Sequence, residues 1–395
     1  MKNFFLPVAA LFALTVAGAP EISNVRVSQE ANRRVTVQYD MPDDDAVVTV
    51  EFRTNGVAVS SAAAWDFDGD ANARVAAGRN RTFTWQPRRG ALPEMKLPPG
   101  SLEVVLTAWD VNNLPPYMVL DLTAAKRVRY YASAEALPGG QGVTNSLFKT
   151  DRLLMFKAPA CNATFRMGSA LGETASRNRD YLHNVTFTED FYIGVYELTQ
   201  GQLNHFTNPG SGYSPSGDFY PANYISYDDM RGTTYSWPGD GHKVADGSPL
   251  KLMRDRTGVE LDLPTDAQWE FACRAGNPGR WNNGEWRSSS VTNVAVCSTN
   301  SGNEPHVVGT KQPNSWGLYD FHGNAWEWCL DWNQDALTND ETDPQGPASG
   351  TYRVVRGGAY NKEYQYCRSG HRNNDSSTQR NKAYGFRLAC PAVAR

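Results

Sequence analysis

The chain has 395 residues, of which 40% are hydrophobic and 20% are charged. These values are typical of a globular protein with room for two or three domains. The net charge of −4 excludes the strongly basic surface on which binding to nucleic acid or to an anionic membrane depends. An aromatic content of 11%, with 34 Gly and 23 Pro, favours short strands, tight turns and long ordered loops over helix bundles.

The first residues have the pattern of a signal peptide. Lys2 provides a positive start, Phe4 to Val16 is a mostly apolar run, and Ala17 to Ala19 supplies small residues for cleavage. The apolar run is shorter than the roughly 20 residues that a transmembrane helix needs, and no later run is long enough. The sequence therefore predicts a signal peptide over residues 1–19, no membrane span, and a secreted, periplasmic or cell-surface protein.

Residues 20–123 show the period-two alternation of apolar and polar residues that is typical of half-buried strands. Turn-forming clusters rich in Asp, Asn, Pro and Gly separate the candidate strands. The pattern is clearest at Val25–Val27, Val35–Tyr39, Val48–Phe52 and Phe83–Trp85, and Leu102–Trp109 is a more continuous buried run. Short strands at this spacing predict a β-sandwich of the immunoglobulin or fibronectin type.

A stretch rich in Ala, Gly and polar residues, 124–150, is predicted to link this sandwich to a second domain over residues 151–395. All the cysteines lie in the second domain. An oxidising compartment permits disulfides between them, but six cysteines allow 15 pairings and spacing does not choose among them. No CxxC pair is present, which argues against a zinc ribbon or a thioredoxin-type site. The six are Cys161, Cys273, Cys297, Cys329, Cys367 and Cys390.

Two helices are predicted in the second domain. One begins after Thr265, where Gln268 completes a capping box and Gly276 marks the end. The other is predicted over about residues 198–207, beginning near Thr199.

The second domain also contains five motifs that occur in a fixed order over about residues 150–390. Together they resemble the formylglycine-generating, or sulfatase-modifying-factor, family. The resemblance implies an irregular α/β fold related to C-type lectins, so that the whole chain is expected to be α+β. The motifs lie at Phe165–Ser169, Phe191–Thr199, Leu263–Gly276, Asn314–Trp328, and Arg356–Tyr360 with Gly385–Ala389.

The resemblance also locates a candidate catalytic site. Members of the family carry two cysteines five residues apart, just after a Gly-Gly pair, which bind copper(I) and use oxygen to convert a cysteine of a sulfatase to formylglycine. Counting from Gly357-Gly358, these positions are Lys362 and Cys367 here, and Tyr366 also matches the family. A lysine ammonium does not bind copper(I), and one thiolate does not complete a two-coordinate site. Copper is therefore not expected, unless a distant cysteine folds beside Cys367.

Cys367 has a second interpretation. In an exported protein a cysteine of this kind is more often half of a disulfide or a buried thiol than a reactive nucleophile. The sequence offers Cys329 and Cys390 as partners.

The resemblance implies calcium as a cofactor. Family members hold calcium with oxygen ligands, partly from a Gly-Asn-x-Trp-Glu segment, which corresponds here to Asn324 and Glu327. A further loop is expected to contribute Asn293 and the carbonyl of Val294. Hard oxygen donors of this kind are the ligands that calcium prefers.

Two functions from different classes follow. In the first, the domain binds a protein or small-molecule ligand and has lost the copper oxidase chemistry; in the second, it is an oxygen-dependent oxidoreductase. The first predicts a binding surface that contains Asn361, Tyr364, Gln365 and His371, because tyrosine and adaptable polar groups suit contact with a partner. The alternative is that the tyrosines pack beneath neighbouring coil.

A narrower form of the first function is a binding protein diversified by a retroelement. The same fold serves as the variable protein of such elements, whose mutable positions lie near the end of the chain. The stretch from Asn361 to Tyr384 is rich in Asn, Tyr, Ser, His and Asp, which adenine-directed mutation produces, although Lys362, Glu363 and Gln365 fit less well.

Overall fold

The computed structural model describes a set of chain segments, and the structural statements below concern those residues alone. They divide into two compact units, and both contain many β-strands and few helices. No helix in these segments has the length and apolar character needed to cross a bilayer. The described residues are 10–15, 18–29, 34–54, 57–58, 67–85, 102–139, 141–169, 181–207, 212–284, 288–335 and 339–393.

The first unit extends through Val119 and also includes Val128–Asn145. The strands up to residue 131 are β1 (Ala10–Thr15), β2 (Ser23–Gln29), β3 (Val35–Met41), β4 (Ala46–Thr54), β5 (Val57–Ala58), β6 (Phe67–Gly69), β7 (Ala73–Val75), β8 (Gly78–Trp85), β9 (Leu102–Asp110), β10 (Tyr117–Asp121) and β11 (Val128–Tyr131). One sheet has the order β1-β9-β4-β5, with β7 also paired to β4, and the other has the order β2-β3-β8-β6.

The two sheets of the first unit share one hydrophobic cluster. Alternate residues of β3, β4, β8 and β9 contribute to it, as the period-two pattern predicts. Phe52 of β4 stacks on Trp85 of β8, with ring centroids 4.3 Å apart, so that the two sheets are in direct contact. A two-sheet arrangement is therefore present, while its assignment to the immunoglobulin or fibronectin class stays a prediction.

Part of the predicted signal peptide lies in a strand. β1 pairs in parallel with β9, from Ala10 opposite Glu103 to Thr15 opposite Ala108. Residues 1–9, 16 and 17 lie outside the described residues. Cleavage near residues 17–19 would remove β1 and leave β9 at the edge of its sheet. The signal peptide stays a prediction.

The predicted linker, 124–150, is instead divided between the two units. In β11 the N–H of Tyr130 donates to the carbonyl of Asn72 in the first unit, at 2.8 Å. Residues Ser146–Lys149 form a short 3-10 helix in the second unit, with Phe148 fully buried. Apolar residues that pack into the core lie among the small residues of this stretch. The average composition of residues 124–150 does not reveal these apolar residues.

The second unit consists of Leu120–Arg127 and Ser146–Pro391. Its later elements are β12 (Arg152–Ala158), β13 (Thr164–Met167), β14 (His183–Thr186), β15 (Phe191–Gly194), α1 (Gln200–Leu203), α2 (Tyr227–Arg231), α3 (Pro249–Thr257), α4 (Asp266–Arg274), β16 (Ala295–Val296), β17 (His322–Gly323), β18 (Trp326–Trp332), β19 (Glu341–Thr342), β20 (Arg353–Arg356), β21 (Arg372–Asp375), β22 (Tyr384–Gly385) and β23 (Ala389–Pro391). Small sheets with the orders β12-β15-β23, β13-β14-β19, β16-β17 and β21-β20-β18-β22 are joined by long coil.

Both predicted helix starts are confirmed. α4 follows Thr265, whose side chain accepts from the N–H of Gln268 while the Gln268 side chain accepts from the N–H of Thr265. Thr199 caps α1 in the same way. α1 ends at Leu203, earlier than predicted, because the chain continues in turns.

Buried arginine–carboxylate pairs connect the elements of the second unit. Arg356 of β20 is fully buried and donates to Asp266 and Glu270 on α4. Arg387, next to β23, is also fully buried and donates to both carboxylate oxygens of Glu327 on β18. An unpaired charge in the interior is costly. These pairs therefore require α4, the sheet β21-β20-β18-β22 and the segment just before β23 to form together.

We expect Arg356→Ala to destabilise the second unit by about 3 kcal/mol, since it removes the cation that Asp266 and Glu270 share and leaves each buried carboxylate with one arginine, Arg372 or Arg274. The measurement is the midpoint of urea unfolding followed by tryptophan fluorescence.

The matched control is Lys251→Ala, which removes an exposed ion pair with Asp255 on α3. That change is expected to cost less than about 0.5 kcal/mol. Equal midpoints for the two variants would show that the buried network contributes no more than a surface pair.

Candidate functional site

The segment after Gly357-Gly358 lies against the loop that follows β16. The carbonyl of Lys362 accepts the N–H of Ser298 at 2.9 Å. Both glycines have positive φ, 93° and 80°, and a Cβ on Gly358 would lie 2.6 Å from the sulfur of Cys367. The turn therefore approaches Cys367 so closely that only glycine fits at position 358.

Cys367 ends a short 3-10 helix, Tyr364–Cys367, and is fully buried. Its side chain belongs to a hydrophobic cluster, and Tyr364 packs against that cluster. Burial raises the pKa of the Cys367 thiol, and the neighbouring thiol of Cys297 raises that pKa further. We call this group the thiol cluster; its buried members are Trp281, Val291, Val294, Ala295, Cys297 and Cys367.

The structure thus places a second cysteine near Cys367, but it is Cys297 rather than either predicted partner. Cys329 lies on β18 with its sulfur 4.0 Å from the carbonyl of Glu327, and Cys390 lies on β23 opposite Tyr192. All six cysteines are thiols. No local motif marks Cys297 in the sequence, because 70 residues separate it from Cys367 and only the fold brings the two segments together.

A buried histidine supports the backbone at Cys367. His322 of β17 accepts the N–H of Asn282 through Nε2, at 3.1 Å, and donates from Nδ1 to the carbonyl of Cys367, at 2.7 Å. Burial lowers the pKa of His322 to about 4. The imidazole is therefore neutral at pH 7 and holds the position of Cys367 without providing a positive charge that would stabilise a thiolate.

The other residues of the predicted catalytic site do not form a second ligand. Lys362 is half-buried and occupies the position of the first family cysteine. Tyr366 is half-buried, and its ring meets the ring of His371 edge-on with centroids 5.3 Å apart. The contact with His371 holds the Tyr366 ring in place. Neither Lys362 nor Tyr366 provides a second thiolate beside Cys367.

The predicted binding surface is only partly exposed. Asn361 and Gln365 are exposed, whereas Tyr364 is half-buried with its ring 6.3 Å from that of Trp281. His371 is 5% exposed and also lies against the ring of Trp326, so its burial does not support the predicted role as a contact residue, which stays a prediction. The histidine begins the return of the chain into β21 and belongs to the core.

The side chains named for calcium already have partners. Glu327 accepts from Arg387 and from Nε1 of Trp269, the latter at 2.6 Å. The amide of Asn324 donates to Glu197 at 2.6 Å, and its oxygen accepts the N–H of His306 at 2.8 Å.

The remaining calcium candidate, Asn293, is exposed, and its carbonyl accepts the N–H of Gln312 at 3.0 Å. Within the described part of the chain, no three His, Cys, Asp or Glu side chains are arranged to hold a metal ion. A cation at Glu327 would have to displace a buried guanidinium, so these side chains do not fit calcium as arranged. Calcium binding stays a prediction without support from these contacts.

Next to Asn324 are two buried acids that sequence reasoning missed. Burial raises the pKa of Glu197 well above its usual range, and the nearby Asp320 and Glu327 raise it further. Burial also raises the pKa of Asp320 to about 6. Their role is to pair backbone groups: Glu197 accepts the N–H of Ala325 and Asp320 accepts that of Gly309.

The second unit also has a cavity of about 570 Å³ away from the thiol cluster. Tyr224 is 41% exposed there, and Arg380 is held by a two-point ion pair with Asp229. Lys382 is exposed beside them. The cavity therefore has an aromatic wall and a largely neutralised guanidinium, and no catalytic group is recognisable among its lining residues.

Comparison with known proteins agrees with this geometry. The fold and the order of the motifs define a mostly β domain of the C-type-lectin-like type. Residues 162–392 match the family described as the Sulfatase-modifying factor enzyme 1-like domain. The chain belongs to this family.

Three relatives show the range of the family. Serine/threonine-protein kinase pkn1 of Chlamydia caviae is 38% identical over 238 residues, which cover 57% of this chain and 36% of the kinase. The formylglycine-generating enzyme of Streptomyces coelicolor is 34% identical over 152 residues, which cover 32% of this chain and 46% of the enzyme. The solved structure of PvdO from Pseudomonas aeruginosa is 25% identical with a TM-score of 0.50, and the match covers 60% of this chain and 94% of PvdO. The chain thus spans less than half the length of these two curated relatives.

From the contacts of Glu327 and Asn324 we expect millimolar calcium to leave the melting temperature unchanged relative to chelator. A ligand bound only to the native state would raise stability by about 2.7 kcal/mol at 100 times its Kd. A calcium-dependent rise that disappears in Asn324→Ala would restore the predicted site.

Proposed function

We propose that this chain is an exported protein whose C-terminal domain binds a protein ligand and has lost the copper oxidase chemistry. The observation that carries the proposal is the state of the cysteine site. Lys362 stands where the family has its first cysteine, and Cys367 is fully buried in the thiol cluster.

Both features oppose copper chemistry. Copper(I) binds thiolates, and burial favours the neutral thiol of Cys367. The ammonium of Lys362 has no lone pair to offer a metal. A buried sulfur is also out of reach of a peptide substrate, whereas the catalytic thiol of an oxidase must meet the cysteine that it oxidises.

The same segment offers a surface for contact. Asn361, Glu363 and Gln365 are exposed at alternate positions, and Tyr364 and Tyr366, which follow Glu363 and Gln365, are half-buried. Amide groups adapt their hydrogen bonds to a partner, and tyrosine provides contact area at low entropic cost. We call Asn361–Tyr366 the exposed face. Its composition suits a protein or peptide ligand and not nucleic acid.

Diversification by a retroelement is a narrower form of this proposal. Its support is the composition of residues 361–384, most of which are at least partly exposed up to Gln365 and again from Asn373 to Lys382. A reverse transcriptase gene and a near-copy of the 3′ end beside the gene would support it.

Export is proposed from the N-terminal pattern of Lys2 and the apolar run that follows it. A secreted, periplasmic or cell-surface location would place the binding domain where extracellular partners are available.

The oxidoreductase remains the second candidate, because one specific observation favours it. Cys297 lies in the same cluster as Cys367 and could provide the thiolate that position 362 lacks. Such a site would differ from the family arrangement, in which both cysteines belong to one loop.

We expect the purified chain to retain no stoichiometric copper(I) and to form no aldehyde from a sulfatase-type cysteine peptide under air. The readouts are metal analysis and mass spectrometry. Lys362→Cys, which restores two cysteines five residues apart, is the matched control; assayed under reductant, so that Cys367 is a free thiol, it is expected to retain more copper(I) than the unaltered chain.

Aldehyde formation by the unaltered chain would overturn the proposal. Loss of that activity in Cys297→Ser would then assign Cys297 as the second ligand.

For the exposed face, we expect the full chain to enrich specific sequences from a displayed peptide library. Asn361→Ala with Gln365→Ala should lower this binding at least tenfold, because both amides are exposed, and should leave the melting temperature unchanged. Asn204→Ala with Gln312→Ala removes exposed amides from other loops and is the matched control; Asn204 has right-handed helical backbone, which Ala also adopts. Equal binding by both double variants, or no enrichment, would place the ligand elsewhere.

A further inference from the structure

We infer that Cys297 and Cys367 form a disulfide in the oxidised protein, which ties the loop after β16 to the segment that bears the exposed face. This pairing differs from the family's pair of neighbouring cysteines. It does not depend on the binding proposal.

The backbone brings the two cysteines together. β16 pairs with β17, with Val296 opposite Gly323. The N–H of Gly323 in turn donates to the carbonyl of Gly357, at 2.7 Å. One residue beyond Cys297, Ser298 donates to the carbonyl of Lys362. The chain segments that carry the two cysteines are therefore joined directly by the bond between Ser298 and Lys362, and indirectly through β17.

Both side chains belong to the thiol cluster. Both cysteines are 0% exposed and both pack within the same group of apolar residues. The Cys297 thiol also contributes to the raised pKa of the Cys367 thiol, which agrees with their shared cluster. Two other cysteines lie outside the thiol cluster: the sulfur of Cys273 is 3.9 Å from Nε2 of His322, and Cys161 is exposed near Thr188.

The loop after β16 is itself well held, so that Cys297 has a defined position. Its N–H donates to the side chain of Asn300 at 2.8 Å, and its carbonyl accepts the N–H of Ser301 at 2.9 Å. Thr299 Oγ1 lies 3.1 Å from the sulfur. On the other side, His322 and the Gly358 turn fix Cys367. Because both sulfurs already have defined positions, the folded protein loses little conformational entropy when the disulfide forms.

The oxidation balances with a small disulfide as the oxidant. One S–S bond forms between the two protein sulfurs, and the S–S bond of the oxidant breaks. The protein thiols lose two protons and two electrons, and both pass to the oxidant, which leaves as two thiols. Because burial protects the product from external thiols, the bond is expected to form while the segment is still accessible and to persist after folding.

The disulfide is tested by mapping thiols in the full chain purified without reductant. The protein is denatured, alkylated and digested with trypsin. Peptide 288–311, which holds Cys297, is expected to be linked to peptide 363–368, which holds Cys367, and reduction should separate them. Recovery of both peptides fully alkylated, after refolding with oxidised glutathione, would overturn the inference.

Thiol counts and melting temperatures provide a second readout. If this is the one disulfide, the unfolded chain has four free thiols, six minus two, and Cys297→Ser has five. Each single variant should melt about 10 °C lower, since a crosslink across some 70 residues is lost. The double variant should melt no lower than the singles, and Cys161→Ser should be unchanged. Additive losses in the double variant would show two independent packing effects and no bond.

Discussion

The second unit depends on paired charges in its interior. Long coil leaves many carbonyls and carboxylates without the partners that helices and sheets would supply, and each must be satisfied when it is buried. Two arginines meet much of this need. Arg387 donates to Glu327 and to the carbonyls of Gly194 and Tyr319. Arg356 joins α4 to the carbonyls of Ser369 and His371.

This constraint explains why so many motif residues of the family are structural here. Trp269 and Glu327 lie in two different motifs and are hydrogen-bonded to each other. Glu327 in turn holds Arg387 of the last motif. Residues that are separated in sequence thus form one buried network, and its polar atoms are occupied by one another. Side chains of this kind are poor candidates for metal ligands even where a family motif names them.

The same buried network supports the cysteine site. Arg356 donates to carbonyls just after Cys367, His322 holds the carbonyl of Cys367 itself, and Gly358 allows the turn to close over the sulfur. These contacts therefore hold the backbone around Cys367 in place, although Lys362 replaces the family's first cysteine. Lys362 in place of the family's first cysteine leaves the backbone support of the loop intact, which the proposed binding surface requires.

The sequence by itself determined the family, the start of α4 at Thr265, the start of α1 at Thr199 and the period-two strands of the first unit. These depend on local rules: a cap interacts with a residue three positions away, and alternation follows from the pleat. Only the tertiary structure decided that His371 is buried, that residues 124–150 divide between two units, and that Cys297 rather than Cys329 or Cys390 lies near Cys367. Burial and contacts between segments some 70 residues apart depend on how the coil is folded back on itself, and no local pattern encodes that path.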